Sequence, residues 1–352
     1  MESILKKSGA DSVLLYTSED RIDPNFYYAA KLSRTRRLSG YLALGKGRPV
    51  LVTNALELGT LKGRKNFRAA QADSREHLRR LLNRSLGRKV GINCDYVSVN
   101  SMKKMRSLLR GRKFMDVSKA FAGMRSVKTK EEIKNIRQAC RITEDIFSEL
   151  QAEIKRGKTE IELSNFVEAK VKRSGAESVS FPPIIAFGRN SAVPHHMPGK
   201  TRIGEGMVLA DIGVIYNGYC SDMTRMFYVG KPTAMHNHMY AVVNRARKAA
   251  LGAIRRGAVA ADVFNAANSE IKESYGKDMI HSLGHGLGIE VHDYPESLSP
   301  KNRYIIKDGM CVTVEPGYYQ EGFGGVRIED DIVVKNGRPV MLSRAPEKLT
   351  MI

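Results

Sequence analysis

Met207-Val-Leu-Ala-Asp211-Ile-Gly-Val-Ile-Tyr216, then Asn217-Gly218, then Tyr219-Cys-Ser-Asp222-Met-Thr-Arg-Met-Phe-Tyr-Val229 is the stretch that decides the fold. Asn-Gly between two apolar runs is the strongest short-range signal for a two-residue hairpin turn, because both turn positions need a positive φ. Pairing Tyr216 with Tyr219 fixes the register by counting, so that Asp211 faces Thr224 and Asp222 faces Gly213. Both carboxylates then point to one face as diagonal neighbours, about 7–8 Å apart. Two aspartates on one face of an otherwise apolar hairpin need a metal, a shared proton or solvent.

Downstream, Cys311-Val-Thr-Val-Glu315-Pro-Gly and Gly325-Val-Arg-Ile-Glu329-Asp-Asp-Ile-Val-Val334 each place a glutamate at or within a largely apolar strand. An unpaired charge there is costly, so each glutamate asks for a partner. Between hairpin and glutamates lies His281-Ser-Leu-Gly-His285-Gly-Leu-Gly-Ile-Glu-Val-His292-Asp-Tyr-Pro295. Its glycines let backbone approach closely, and its three imidazoles bind metal or move protons near neutral pH. With one of these histidines, the four carboxylates form an oxygen-rich set with a single nitrogen donor. Such a set suits two first-row divalent ions better than one structural zinc, which prefers sulfur or more imidazole.

The rest of the chain frames this site. Residues 129–155, 159–173, 234–255 and 260–275 read as helices, the first opened by a Thr129/Glu132 capping box. The second and fourth each follow a basic, glycine-ended stop (Lys155-Arg-Gly157 and Arg255-Arg-Gly257) and lead toward histidines, which hints at an internal duplication. Residues 1–118 alternate short apolar runs (Val13–Tyr16, Gly40–Leu44, Pro49–Thr53, Lys89–Ile92) with helical segments (Ser74–Leu86, Ser101–Arg110), and hold no catalytic constellation. We set the boundary between the two domains at residue 122, giving domains 1–122 and 123–352.

Composition narrows the class further. The 352 residues are 42% hydrophobic and 27% charged, in the ordinary globular range. Lys and Arg (58) exceed Asp and Glu (37), a surplus of 21 that makes a positive field for polyanions and acidic small molecules. The basic residues run from Lys6 to Lys348, densest in Lys62 to Lys113, without a clustered basic and aromatic motif, so dedicated nucleic-acid binding is not expected. Cys94, Cys140, Cys220 and Cys311 form no CxxC pair, no membrane-length apolar run occurs, and no targeting segment is read at the N-terminus, so a reduced cytoplasmic setting is expected.

The order Asp211, Asp222, His285, Glu315, Glu329, with His-x-x-Gly-His-Gly-x-Gly around the histidine and Ser-Asp-Met-Thr-Arg around the second aspartate, resembles the methionine aminopeptidase/prolidase/creatinase superfamily. Within it the chain is most similar to the Xaa-Pro peptidases, prolidase and aminopeptidase P. The resemblance covers essentially the whole chain and implies an α+β architecture: a pita-bread catalytic domain preceded by a smaller α/β creatinase-type N-terminal domain. It also accounts for the duplication, since that catalytic domain has pseudo-two-fold symmetry.

By the same resemblance Asp211 chelates one divalent ion, Asp222 and Glu329 bridge two, and His285 and Glu315 complete the other ion's shell. Manganese or cobalt leads, with zinc and iron as further candidates. His195 contacts substrate, His292 steadies the tetrahedral intermediate, and Glu315 moves the proton. His196 and His281 are read as pocket-lining, and Arg327 or Arg303 as partners for a substrate carboxylate. The implied activity is hydrolysis of the Xaa-Pro bond at the N-terminus of a dipeptide or short peptide with proline second, by a homodimer. Two departures, Asp293 where glutamate is common and Glu296 after Pro295, leave dipeptide and longer peptide both open. A creatinase-like C–N hydrolase and a non-catalytic peptide- or partner-binding module are the rivals. The complete ligand set argues against both, and the extra N-terminal domain argues against methionine aminopeptidase.

Overall fold

A computed structural model describes residues 2–45 and 47–352. The chain forms two compact units, Met1–Met124 and Arg125–Ile352. The first is a six-stranded sheet in the order Arg68–Gln71, Val50–Thr53, Gly40–Leu44, Ser12–Thr17, Lys89–Ile92, Lys113–Asp116. Alternation along its strands feeds two cores. Val13 and Leu15 pack with Phe26 and Phe121 on one face, while Leu14, Val50 and Val52 pack with Leu82, Met105 and Leu108 of two helices on the other. The outermost strands, Arg68–Gln71 and Lys113–Asp116, escape the sequence reading because they are short and polar at their ends, as edge strands are.

In the second unit the helices run Lys130–Glu153, Glu160–Arg173, Ala234–Ala253 and Ala260–Tyr275. The first begins at the expected capping box, in which the Thr129 hydroxyl accepts from the Glu132 N–H and the Glu132 carboxylate accepts from the Thr129 N–H. Thr159 and Glu162 make a second box of the same kind.

The duplication is visible atom by atom. Gly157 N donates to Ile203 O at 2.8 Å, and Gly257 N to Ile306 O at 2.9 Å. Glu160 N reaches Thr201 O at 3.1 Å, and Ala260 N reaches Tyr304 O at 3.1 Å. Both glycines take a left-handed conformation, φ 90° and 92°, which a side chain would strain. Each helix pair therefore turns the same corner and is stitched to the following segment in the same way.

Two sheets carry the site. One has the order Thr350–Met351, Met223–Val229, Gly206–Ile212, Ile184–Phe187; the other runs Asp293–Leu298, Gly284–Gly286, Cys311–Val314, Asp330–Lys335, Arg338–Met341. The hairpin register is the one counted from its turn: Thr224 pairs with Asp211 and Tyr216 with Tyr219, and Asn217 and Gly218 have φ 47° and 80°. Strands Gly206–Ile212 and Met223–Val229 are buried along their whole length, which explains their apolar character apart from Asp211 and Thr224, which face the site, and Arg225, which pairs with Asp330 on the other face. No helix among the described residues is long and apolar enough to cross a membrane.

Candidate active site

Asp211 is the penultimate residue of the strand Gly206–Ile212, and Asp222 directly precedes the strand Met223–Val229. Glu315 follows the strand Cys311–Val314, and Glu329 sits between the strands Gly324–Arg327 and Asp330–Lys335. His285 lies in the short strand Gly284–Gly286, held because its N–H donates to Thr313 Oγ1 at 3.0 Å. The glycines around it are dictated by space. A Cβ on Gly284 would stand 2.1 Å from Thr313 O, one on Gly286 2.3 Å from Pro295 O, and one on Gly288 2.0 Å from Asp293 Oδ2.

His285 Nε2 lies 3.4 Å from Asp222 Oδ2 and 3.5 Å from Glu315 Oε1. Donor atoms of Asp222, His285 and Glu329 all fall within 4.8 Å of one another. The tautomer follows from the other ring nitrogen: Nδ1 faces the Gly286 carbonyl at 3.1 Å, which can only accept, so Nδ1 carries the proton. In the neutral ring, Nε2 then points a lone pair at two carboxylates, an arrangement that calls for a cation between them.

Electrostatics make the same demand. Burial pushes the Asp222 carboxyl well above its usual range, and the charge of Asp211 adds to this. Burial does the same to Glu329, reinforced by Asp222. Asp211 is also raised by burial, against the pull of Arg327. One of its oxygens, Oδ1, is buried and accepts no hydrogen bond among the described residues. Four carboxylates, one buried guanidinium, an open carboxylate oxygen and an imidazole lone pair fit divalent cations by charge and by donor type.

Around these groups stands a network that sequence reading missed. Arg327 Nη2 donates to Asp211 Oδ2 at 2.6 Å, Nε to Thr224 Oγ1 at 2.9 Å, and Nη1 to Tyr319 Oη at 2.9 Å and Pro194 O at 3.2 Å. Its side chain is 4% exposed. This guanidinium is committed to orienting Asp211, so the structure gives Arg327 another task than the substrate carboxylate expected of it. Thr224 Oγ1 in turn donates to Glu329 Oε2 at 2.9 Å. Asp331 Oδ2 accepts from the Asp222 N–H at 3.0 Å and from Cys140 Sγ at 3.2 Å, with burial raising this carboxyl to about 7.

The remaining histidines separate into different settings. His281 Nδ1 donates to Ser282 O at 2.7 Å, and its Nε2 meets Tyr319 Oη at 3.0 Å, so the tyrosine hydroxyl links it to Arg327. Burial lowers the His281 pKa and keeps the ring neutral. His196, expected to line the pocket, instead faces the fully buried Glu160 at 2.9 Å. Glu160 also accepts from Phe187 N, Asn190 Nδ2 and Gly199 N, which anchors the loop that exposes His195. His292 is exposed, with its ring centroid 4.0 Å from that of His285. Arg303 is exposed.

Behind His292 the departure at Asp293 finds its reason. Asp293 Oδ2 accepts from Ile289 N at 3.0 Å and Oδ1 from Tyr294 N at 2.6 Å, while Arg125 Nη2 contacts Asp293 Oδ1 at 2.7 Å and Glu290 Oε2 at 2.6 Å. The Arg125 side chain is 1% exposed. One buried guanidinium nitrogen thus bridges Glu290 and Asp293, on either side of His292. The pairings of Arg125 and Glu160 could not be read from a single sequence, because their partners Glu290, Asp293 and His196 lie far along the chain.

Residues 134–336 match the metallopeptidase family M24, and residues 1–127 match the creatinase/prolidase N-terminal domain. The chain is 38% identical over 257 residues to the Xaa-Pro dipeptidase of Pyrococcus furiosus, spanning 72% of this chain and 73% of that one. The crystal structure of X-Pro aminopeptidase from Thermotoga maritima superposes with a TM-score of 0.91 at 28% identity, covering 99% of both chains. Xaa-Pro dipeptidase from Bacillus anthracis gives 0.90 at 30% identity, over 100% of this chain and 98% of that one. These likenesses carry the pita-bread architecture with its creatinase-type N-terminal domain. The chain belongs to metallopeptidase family M24, with the creatinase/prolidase domain ahead of its catalytic unit.

Proposed function

We propose that this protein is a metal-dependent peptidase that hydrolyses the Xaa-Pro bond at the N-terminus of dipeptides or short peptides. The observation that carries the reading is the convergence of Asp222, Glu315 and Glu329 on Nε2 of His285, with the charge of Asp211 acting on Asp222, in a buried site short of positive charge. Asp211, Asp222, His285, Glu315 and Glu329 would hold two divalent ions, manganese or cobalt. When bound, the ions supply Lewis acidity toward the scissile carbonyl and toward the attacking water.

The chain's own groups do the rest. Arg327 and Thr224 fix the angles of Asp211 and Glu329, and the Gly286 carbonyl fixes the tautomer of His285. Glu315 takes the proton of the attacking water and delivers it to the proline nitrogen as the C–N bond breaks. His292, beside His285 and open to the cleft, donates a hydrogen bond to the oxyanion, a contribution of about 3 kcal/mol for one preorganised donor. His195 contacts the substrate backbone from the loop that Glu160 secures. The complete ligand set favours this reading over a C–N hydrolase or a non-catalytic module. A homodimer follows from the resemblance to Xaa-Pro peptidases alone, and a cytoplasmic setting from the cysteine spacing and the sequence reading of the N-terminus.

The test is hydrolysis of matched Xaa-Pro, Xaa-Ala and Xaa-Pro-Yaa peptides by metal-depleted protein resupplied with single metals. Cleavage confined to Xaa-Pro bonds, restored by manganese or cobalt, supports the reading, and the Xaa-Pro-Yaa arm separates dipeptidase from aminopeptidase. Folded, metal-loaded protein that cuts none of these peptides overturns it. Light scattering reads the subunit number.

A further inference from the structure

The positive charge that looks scattered along the sequence is gathered by the fold. Residues 1–124 hold 26 Lys and Arg against 10 Asp and Glu, whereas residues 125–352 hold 32 against 27. The smaller unit therefore carries most of the surplus. Within it, residues 75–113 hold 12 Lys and Arg against two acidic residues, Glu76 and Asp95. These residues form the helices Arg75–Ser85 and Val99–Leu108, which cover one face of the sheet side by side, tied where Arg75 Nη2 donates to Ser107 Oγ at 2.6 Å.

The apolar sides of both helices are spent on the sheet, so the cations face solvent. Arg75, Arg79, Arg80 and Arg84 line the outer side of one helix, and Lys103, Lys104 and Arg106 that of the other. Among the described residues Arg79 alone of these meets a carboxylate, Glu76 at 2.9 Å. Helix ends explain only part of this, since a dipole favours a cation in the last turn and Arg84 and Arg106 fill that role. Lys89 and Lys113, at the starts of adjacent parallel strands, are direct neighbours, a placement that costs energy unless an anion joins them.

At this rim a cleft of about 470 Å³ is lined by Arg106, Arg110, Arg112, Lys113 and Phe114. Arg112 is occupied with Asn83 and the carbonyls of Leu86 and Gly87, which leaves Arg106, Arg110 and Lys113 for a ligand. A cleft of this size takes one nucleotide-sized group, with cations for its phosphates; Phe114 at its wall is half-buried against the sheet core.

We infer that this basic helix layer of the N-terminal unit binds single-stranded nucleic acid without reading its sequence. Eight of the twelve cations are arginine, whose fork matches phosphate oxygens. A membrane surface fits less well. Among the described residues of 75–113 the large exposed apolar side chain is Val99, 72% exposed, at the start of its helix, too little apolar surface for insertion into a bilayer. A duplex would leave the cleft unused.

The experiment is fluorescence anisotropy of a labelled oligouridylate of about 20 nucleotides, and of its DNA counterpart, with the full-length protein across a salt series. Binding should weaken steeply with salt. In the triple variant Arg106→Glu, Arg110→Glu, Lys113→Glu, the slope of log K against log salt should be shallower by about two, at roughly 0.7 per lost phosphate contact. A second triple variant, Lys172→Glu, Arg173→Glu, Lys200→Glu, makes the same charge change at exposed positions of the other unit and should keep the original slope. Circular dichroism and thermal melting check folding, with Arg110→Glu alone as substitute if the triple variant unfolds. Absence of binding at low salt, equal loss in both triple variants, tighter binding to duplex of the same length, or binding only to phosphatidylserine vesicles would each overturn the proposal.

Discussion

Arg327 Nη2 lies 2.6 Å from Asp211 Oδ2, and the same guanidinium reaches Thr224, Tyr319 and Pro194. One side chain thus sets the aim of Asp211 and, through Thr224, of Glu329. In Arg327→Lys a point charge replaces the fork, and Asp211 loses its fixed rotamer. Metal affinity should fall about 10- to 100-fold. Calorimetric titration of metal-depleted protein reads this directly, and an unchanged affinity contradicts the assigned role.

Asp222→Ala should abolish peptidase activity and metal binding while leaving the metal-free protein as stable as the parent or more so. Burial and the neighbouring carboxylates make the ionised Asp222 a liability without a cation, which is the meaning of its raised pKa. Melting temperatures with and without metal check this. A variant that keeps its activity removes Asp222 from the ligand set.

His292→Ala should lower kcat by about 10²- to 10³-fold, as expected for loss of one oxyanion donor, with metal stoichiometry intact. Burial lowers the His292 pKa, so near pH 7 the ring is neutral and donates one hydrogen bond. Kinetics with metal analysis on the same samples separate this role from a ligand role.

Glu160 gives a pH dependence. Burial opposes its ionisation, but hydrogen bonds from Asn190, His196, Phe187 N and Gly199 N outweigh burial and hold its pKa below the usual range. A depressed carboxylate stabilises above its unfolded-state pKa of about 4.3, and that contribution is lost as pH falls through the lower folded-state value. Glu160→Gln should therefore cost about 1–3 kcal/mol near pH 7 and progressively less below about pH 4. Melting curves across pH test the trend.

Arg125→Ala should be among the most damaging changes away from the ligands, about 3–5 kcal/mol, because Asp293 then keeps a buried charge without its partner. The turn bearing His292 should loosen as well. Thermal denaturation gives the first effect and kcat the second.

Much of this was legible in the sequence, and for definite reasons. The Asn217-Gly218 turn fixed the pairing of Asp211 with Thr224 because a strand repeats every two residues. Thr129 and Glu132 announced a helix start because both partners of that cap are local. The equivalent stops at Gly157 and Gly257 marked the repeat. What stayed hidden depends on partners distant in sequence. His196 faces Glu160, 36 residues away, and Arg125 faces Glu290, 165 residues away. Arg327 looked available for a ligand because charge alone does not show that its donors are already engaged. The concentration of cations on one helix layer likewise appears only once Arg75–Ser85 and Val99–Leu108 lie side by side.

The repeated corner at Gly157 and Gly257 has a consequence for where chemistry resides. The first repeat contributes two carboxylates, Asp211 and Asp222, and the second an imidazole and two more carboxylates, His285, Glu315 and Glu329. Kindred scaffolds thus deliver unlike inventories to a common seam. On the proposed ligand set, neither half alone owns a complete coordination sphere. Catalytic competence is accordingly a property of the fusion, and a chain severed between residues 229 and 234 should regain activity only when both fragments reassociate.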